Sequence, residues 1–131
     1  MGGLAETVKT ADWKNEKHVP VIECKDQAQA GEVVQVKVCV GKAVAHPNTT
    51  EHHIRWIALY FHPQGAPVPC EVARVEFTAH GESGAGPNQG PVYTQSEAAV
   101  SLKLAKGGTL MALSYCNIHG LWSSTKDVAV A

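Results

Sequence analysis

The chain has 131 residues, a formal net charge of -1 at pH 7, 44% hydrophobic and 18% charged residues. That length is one domain's worth and buries roughly two-thirds of its unfolded surface, so residues 1–131 are expected to form a single domain with a real core. The near-neutral charge without a Lys/Arg block argues against nucleic acid as a partner, and no apolar run approaches the roughly 20 residues of a membrane-spanning helix.

The opening Met1-Gly2-Gly3-Leu4-Ala5-Glu6 has no cationic region followed by an apolar stretch, and Glu6 stands where a myristoylation pattern needs Ser or Thr. Cytoplasm is therefore the expected compartment. Glu6 to Asn15 has room for a turn of helix, and Val19 to Cys24 reads as a strand. Val34, Val36, Val38 and Val40 alternate with Gln35, Lys37 and Cys39, the period of a half-buried strand. Residues Gly41 to Glu51 read as a loop, with Pro47 and Asn48 as turn residues. His53 to Phe61 is a further strand.

Val75, Phe77 and Ala79 alternate with Arg74, Glu76 and Thr78. The Gly-, Pro- and Asn-rich segment from Gly81 to Pro91 reads as one long surface loop. Val100, Leu102 and Leu104 alternate with Ser101 and Lys103, and Thr109 to Tyr115 and Asp127 to Val130 complete the set. About seven strands and no long helical period predict an all-β, immunoglobulin-like β-sandwich.

Cys24, Cys39, Cys70 and Cys116 are too sparse for a disulfide scaffold, and none forms a CxxC pair. A Cys24–Cys39 bridge stays open, since only coordinates show whether two backbones approach closely enough.

The seven histidines are clustered rather than scattered. His18 precedes the first strand; His46, His52 and His53 cluster in the run His46 to His53; His119 follows Cys116 in Cys116-Asn117-Ile118-His119. Taken alone, Cys-x-x-His is as readily a buried thiol beside a surface histidine as a ligand pair, although Gly120 suits a sharp turn aiming both side chains one way. Pro47 stiffens the loop and lowers the entropy of ordering His46 and His52. His53 directly follows His52, so alternation sends it to the opposite side and gives it a structural role. His62 and His80 lack ligand-like company. Imidazole suits iron, copper, nickel and zinc, so ligand type leaves the metal open, but more than four donors including one sulfur points to a redox metal.

Glu16-Lys17-His18-Val19-Pro20, the run His46 to Ile54, and Tyr115-Cys116-Asn117-Ile118-His119-Gly120-Leu121-Trp122 together resemble superoxide reductase of the one-iron, neelaredoxin type. The resemblance runs from about Asp12 to Trp122 and includes Phe77-Thr78-Ala79-His80-Gly81. It implies an immunoglobulin-like sandwich and one mononuclear iron per chain. His18, His46, His52 and His119 would be equatorial ligands and Cys116 the axial thiolate, with a sixth position open to superoxide in the ferrous state. Glu16 would match the carboxylate that closes that position on oxidation, and Lys17 the lysine beside it. The resemblance also implies a rubredoxin-like electron donor and a homo-oligomer, tetramer or dimer. Cys24, Cys39 and Cys70 receive no role.

The alternative is a blue-copper-like electron-transfer protein, also a β-sandwich with a late Cys and His. Its trigonal His₂Cys site takes a weak axial Met, which the stretch after His119 lacks, and it leaves two histidines unexplained. A plain binding module with an incidental structural zinc is a further alternative.

Overall fold

The computed structural model describes residues 2–131. A single helical turn, α1 (Leu4–Thr7), is followed by β1 (Pro20–Glu23), β2 (Gln27–Ala28), β3 (Val33–Val40), β4 (Ile54–Pro63), β5 (Cys70–Glu76), β6 (Glu97–Lys103), β7 (Gly108–Cys116) and β8 (Gly120–Val130). These strands make two sheets, ordered β1-β3-β6 and β2-β8-β7-β4-β5. All pairings are antiparallel except the parallel one between β2 and β8. The result is the immunoglobulin-like sandwich that the alternating pattern predicts.

Alternation creates the core directly. Val34, Val36, Val38 and Val40 point inward from β3 and are each no more than 2% exposed. They join Ile57, Leu59 and Phe61 of β4 and Leu110 and Ala112 of β7 in one cluster. Each fully buried aliphatic side chain of this kind stabilises the fold by about 1.5–3 kcal/mol.

The strand boundaries depart from the sequence reading in three places. β5 covers Cys70–Glu76, so Thr78 and Ala79 lie outside it, while Phe77 stays in the core and its N–H still donates to the Arg55 carbonyl at 2.8 Å. As an edge strand β5 is largely exposed, and Cys70 and Glu71 carry no alternation to read. β8 begins at Gly120, because Ser123 to Lys126 pair with β7 through their backbone and need no apolar side chains to do so. β2 has two residues, too few for any period. The helical turn lies at Leu4–Thr7, overlapping the anticipated stretch only at Glu6 and Thr7.

One end of the sandwich carries the chemistry. There the start of β1 meets the end of β3 (Pro20↔Val40), the start of β4 meets the end of β7 (Ile54↔Cys116), and β7 turns into β8 (Cys116↔Gly120). The Ser114 hydroxyl donates to the His18 carbonyl at 3.2 Å, tying β1 to the second sheet.

Candidate metal centre

Cys116 and His119 are placed by a hairpin. Cys116 pairs with Gly120, leaving Asn117, Ile118 and His119 as a three-residue loop. Gly120 closes it with φ +83°, the left-handed conformation such loops require and that a side chain disfavours. The His119 N–H then donates to the Cys116 sulfur at 3.3 Å, and His119 Nδ1 stands 3.8 Å from the same sulfur. Cys116 is fully buried while His119 is exposed.

His18 sits just before β1, buried and stacked on Trp122 (centroids 4.9 Å apart, planes at 14°). His46 is brought in by a fold-back of the 41–53 loop. Gly41 makes this possible: at φ +88° a Cβ on it would stand 2.7 Å from the His46 backbone nitrogen. His52 is set by a turn in which its N–H donates to Thr49 Oγ1 (3.0 Å) and its carbonyl accepts from the Thr49 N–H (3.0 Å).

The four rings form a quadrilateral. Going round from His18 through His46, His52 and His119 back to His18, the centroids are 4.9, 4.8, 4.9 and 4.7 Å apart, and the His18–His52 diagonal is 6.4 Å. Donor atoms of His18, His52, Cys116 and His119 all lie within 4.8 Å of one another. His46 is not one of these four residues, but its ring supplies the fourth corner of the quadrilateral.

Ring polarity shows what the centre fits. His18 Nδ1 faces the Glu16 carboxylate and His46 Nδ1 donates to the Pro47 carbonyl at 2.7 Å, so both protons sit on the outer nitrogens. The inner nitrogens are left as lone pairs. His18 Nε2 and His52 Nε2 stand 3.1 and 3.2 Å from His119 Nδ1, and His46 Nε2 is buried with no partner. Metal–imidazole bonds of about 2.1 Å at right angles put their nitrogens about 3.0 Å apart, so this spacing suits a shared cation rather than a hydrogen bond. Burial depresses the protonation of all three rings. It drives His46 down to about 4 and holds His18 and His52 below the usual range, keeping them neutral as ligands must be. The charge of Lys17 adds to that effect at each of the three rings.

Glu16 lies beside the donor group, against His18. Its carboxylate accepts from the His18 N–H (2.6 Å) and from the His18 ring (2.5 Å), so it holds that ring from its outer side and is not one of the grouped donors. Burial pushes its pKa up, but the hydrogen bonds and charge of His18 outweigh this and hold it below the ordinary value. Lys17 is half-buried and has no carboxylate partner among the described residues.

His53 turns away from the centre. It is buried, its ring lies parallel to His80 at 3.6 Å, and its Nδ1 donates to the Thr49 carbonyl at 2.9 Å. His80 faces Asn48 Oδ1 (3.0 Å) and the Phe77 carbonyl (2.8 Å), and His62 faces the Ala66 carbonyl (2.8 Å). Sequence reasoning missed the support given by the 81–91 loop. Asn88, at φ 62°, accepts the Thr50 N–H at 2.8 Å and donates to both Glu51 carboxylate oxygens, pulling Glu51 down to about 2. Asn48 donates to the Thr94 carbonyl at 2.7 Å. Asn88 of the long loop and Thr94 just beyond it therefore hold the loop that carries His46 and His52. All four cysteines are free thiols, so no Cys24–Cys39 bridge forms. Met111 pairs with Tyr60, five residues along β7 from Cys116, which pairs with Ile54, so it does not sit at the end of the sandwich that carries Cys116, and the blue-copper alternative is not favoured.

Fold and site define a β-sandwich metalloprotein with a mixed imidazole–thiolate centre. The family model for desulfoferrodoxin matches residues 10–125. The chain is 60% identical to the superoxide reductase of Pyrococcus furiosus over 121 residues, 92% of this chain and 95% of that one. It is 55% identical to the neelaredoxin of Megalodesulfovibrio gigas over 127 residues, 97% of this chain and 98% of that one. The structure of the Archaeoglobus fulgidus superoxide reductase (neelaredoxin) in its reduced form superposes with a TM-score of 0.88 at 56% identity, covering 95% of this chain and 99% of that one. The chain belongs to the desulfoferrodoxin family.

Proposed function

We infer that this protein is a superoxide reductase, adding one electron and two protons to superoxide to give hydrogen peroxide. The observation that carries this reading is the fully buried Cys116 sulfur within 4.8 Å of donor nitrogens of His18, His52 and His119, in a quadrilateral of imidazoles that His46 completes with a buried, unpartnered Nε2. His18, His46, His52, His119 and Cys116 would hold a single iron, which when bound supplies the electron and a positive charge for the anion. Zinc would fill a four-ligand structural site, whereas five converging donors with one thiolate suit a redox ion. Iron content and a visible spectrum in both redox states test the reading: zinc alone in native protein overturns it.

The protein's own groups do the rest. Cys116 donates electron density, the His119 N–H stabilises its thiolate, and exposed His119 marks the side from which a small anion enters. Lys17 would attract that anion. At about 6 Å, an ammonium attracts a unit anion by about 0.7 kcal/mol in water and about 3 kcal/mol at an effective dielectric near 20. Lys17→Ala is therefore expected to slow superoxide capture by roughly 3- to 100-fold. The effect shrinks with salt, because at about 0.15 M screening acts over roughly 8 Å. Lys17→Arg keeps most of the rate, and Lys17→Glu is slower than Lys17→Ala. Pulse radiolysis of the ferrous protein measures this step, and equal rates for Lys17→Ala and wild type at low ionic strength would remove Lys17 from the mechanism.

Glu16 is proposed to bind iron in the ferric state, for which a hard carboxylate is better suited. To do so it must release the His18 ring that it holds here. Glu16→Ala is expected to shift the oxidised spectrum while leaving the first encounter with superoxide nearly intact. A ferric spectrum unchanged across pH would reduce Glu16 to the brace on His18.

We propose further that residues 1–131 act as one iron-binding unit, supported by the single core cluster drawn from both sheets. Re-reduction would come from a rubredoxin-like electron carrier. Half-buried Trp56, Tyr60, Met111, Leu113 and Tyr115, on strand positions that alternate with the core residues of β4 and β7, support a homo-oligomer, dimer or tetramer, which light scattering would size. No described helix is long and apolar enough to cross a membrane. The four free thiols suit the reducing cytoplasm proposed as its compartment.

A further inference from the structure

His52 lies outside the regular strand: β4 starts at Ile54, and its pairing with β7 shifts register between Ile54 and Trp56. No ladder bond therefore fixes the His52 backbone. Thr49 holds its own N–H and carbonyl, as described above. The peptide groups on either side are both held by one side chain. Asn117 Oδ1 accepts the His53 N–H at 2.8 Å, and Asn117 Nδ2 donates to the Glu51 carbonyl at 2.9 Å. The Asn117 N–H donates in turn to the His53 carbonyl at 3.1 Å.

Asn117 is also the residue between Cys116 and the rest of the hairpin loop that ends in His119. A primary amide is one of few side-chain ends that offer a donor and an acceptor in one planar fork. Aspartate would keep the acceptor for the His53 N–H but set an anion against the Glu51 carbonyl. Serine is too short to span both peptides.

We propose that Asn117 is a positioning residue: its amide locks the backbone of His52 to the Cys116–His119 turn, so that thiolate and imidazoles present a preformed set of donors to the metal. This inference rests on the metal-binding reading of the site. The partners of metal ligands set ligand orientation, and losing one typically weakens metal binding by about 10–100-fold.

Cobalt(II) titration of the metal-free protein reads this out, because cobalt reports thiolate coordination through a near-ultraviolet charge-transfer band. Asn117→Ala is expected to raise the cobalt dissociation constant about 10–100-fold and to shift the band. Asn117→Asp is expected to fall between Asn117→Ala and wild type. Circular dichroism checks that each variant is folded, and if Asn117→Ala is not, Asn117→Asp decides. A folded variant that binds cobalt with wild-type affinity and an unshifted band overturns the positioning role. A wild-type protein that shows no thiolate band at all would overturn the metal-binding reading itself, which keeps the two failures distinct.

Discussion

Cys116→Ser is expected to give a folded, colourless protein without measurable superoxide reductase activity. The backbone at this position is fixed by pairing with Ile54 on one side and Gly120 on the other, and neither contact uses the sulfur. The fold therefore survives. Its stability falls by about 1–3 kcal/mol if the smaller buried hydroxyl cannot satisfy its hydrogen bonds. The chemistry does not survive. A serine hydroxyl stays protonated where a thiol yields a thiolate, so the ion loses its only sulfur donor and the ferric charge-transfer band disappears. Losing a direct ligand should exceed the roughly 10–100-fold penalty typical of losing a ligand's partner. The visible spectrum of the oxidised protein and pulse radiolysis of the reduced one check the two halves of this expectation. A variant that retained the same visible band would show that Cys116 is not the sulfur ligand.

His52→Ala and His53→Ala are expected to fail in opposite ways. His52 Nε2 stands 3.2 Å from His119 Nδ1 inside the donor group, so its removal opens one corner of the quadrilateral. Iron occupancy and activity should both collapse, with little change in the melting temperature of the metal-free protein. His53 lies on the other side of the chain, packed on His80 and donating to the Thr49 carbonyl. His53→Ala leaves that carbonyl without its donor and removes the ring stack, which together cost about 1–3 kcal/mol. It should keep iron, colour and most activity. Metal analysis and thermal melts of both metal-free variants distinguish the cases. Iron retained in His52→Ala but lost in His53→Ala would show that the two side chains are assigned to the wrong faces.

Much of the fold was legible because strand alternation is a local signal. Each valine of β3 from Val34 to Val40 declares its face two residues at a time, and packing only confirmed it. The pieces that escaped lack that signal. β2 is two residues long, the first half of β5 is an exposed edge, and the middle of β8 is polar because its contribution is backbone pairing.

The candidate site divides along the same line. The sequence by itself offered the donor types and the turn at Gly120 that pairs Cys116 with His119, since each depends on a few neighbouring residues; His52 and His53 do face apart, but they precede β4, and Thr49 and Asn117 rather than strand pairing hold them. Only the tertiary structure decided how these pieces converge. His18 and His119 are 101 residues apart in the chain and meet because β1 and β8 begin at the same pole of the sandwich. The hold of Glu16 on the His18 ring, the stacking of His53 on His80, and the support that Asn88 and Thr94 lend to the ligand loop could not be read from spacing. These contacts join residues brought together by the packing of whole sheets and loops, and short-range periodicity carries no information about which distant side chain will fill a given place.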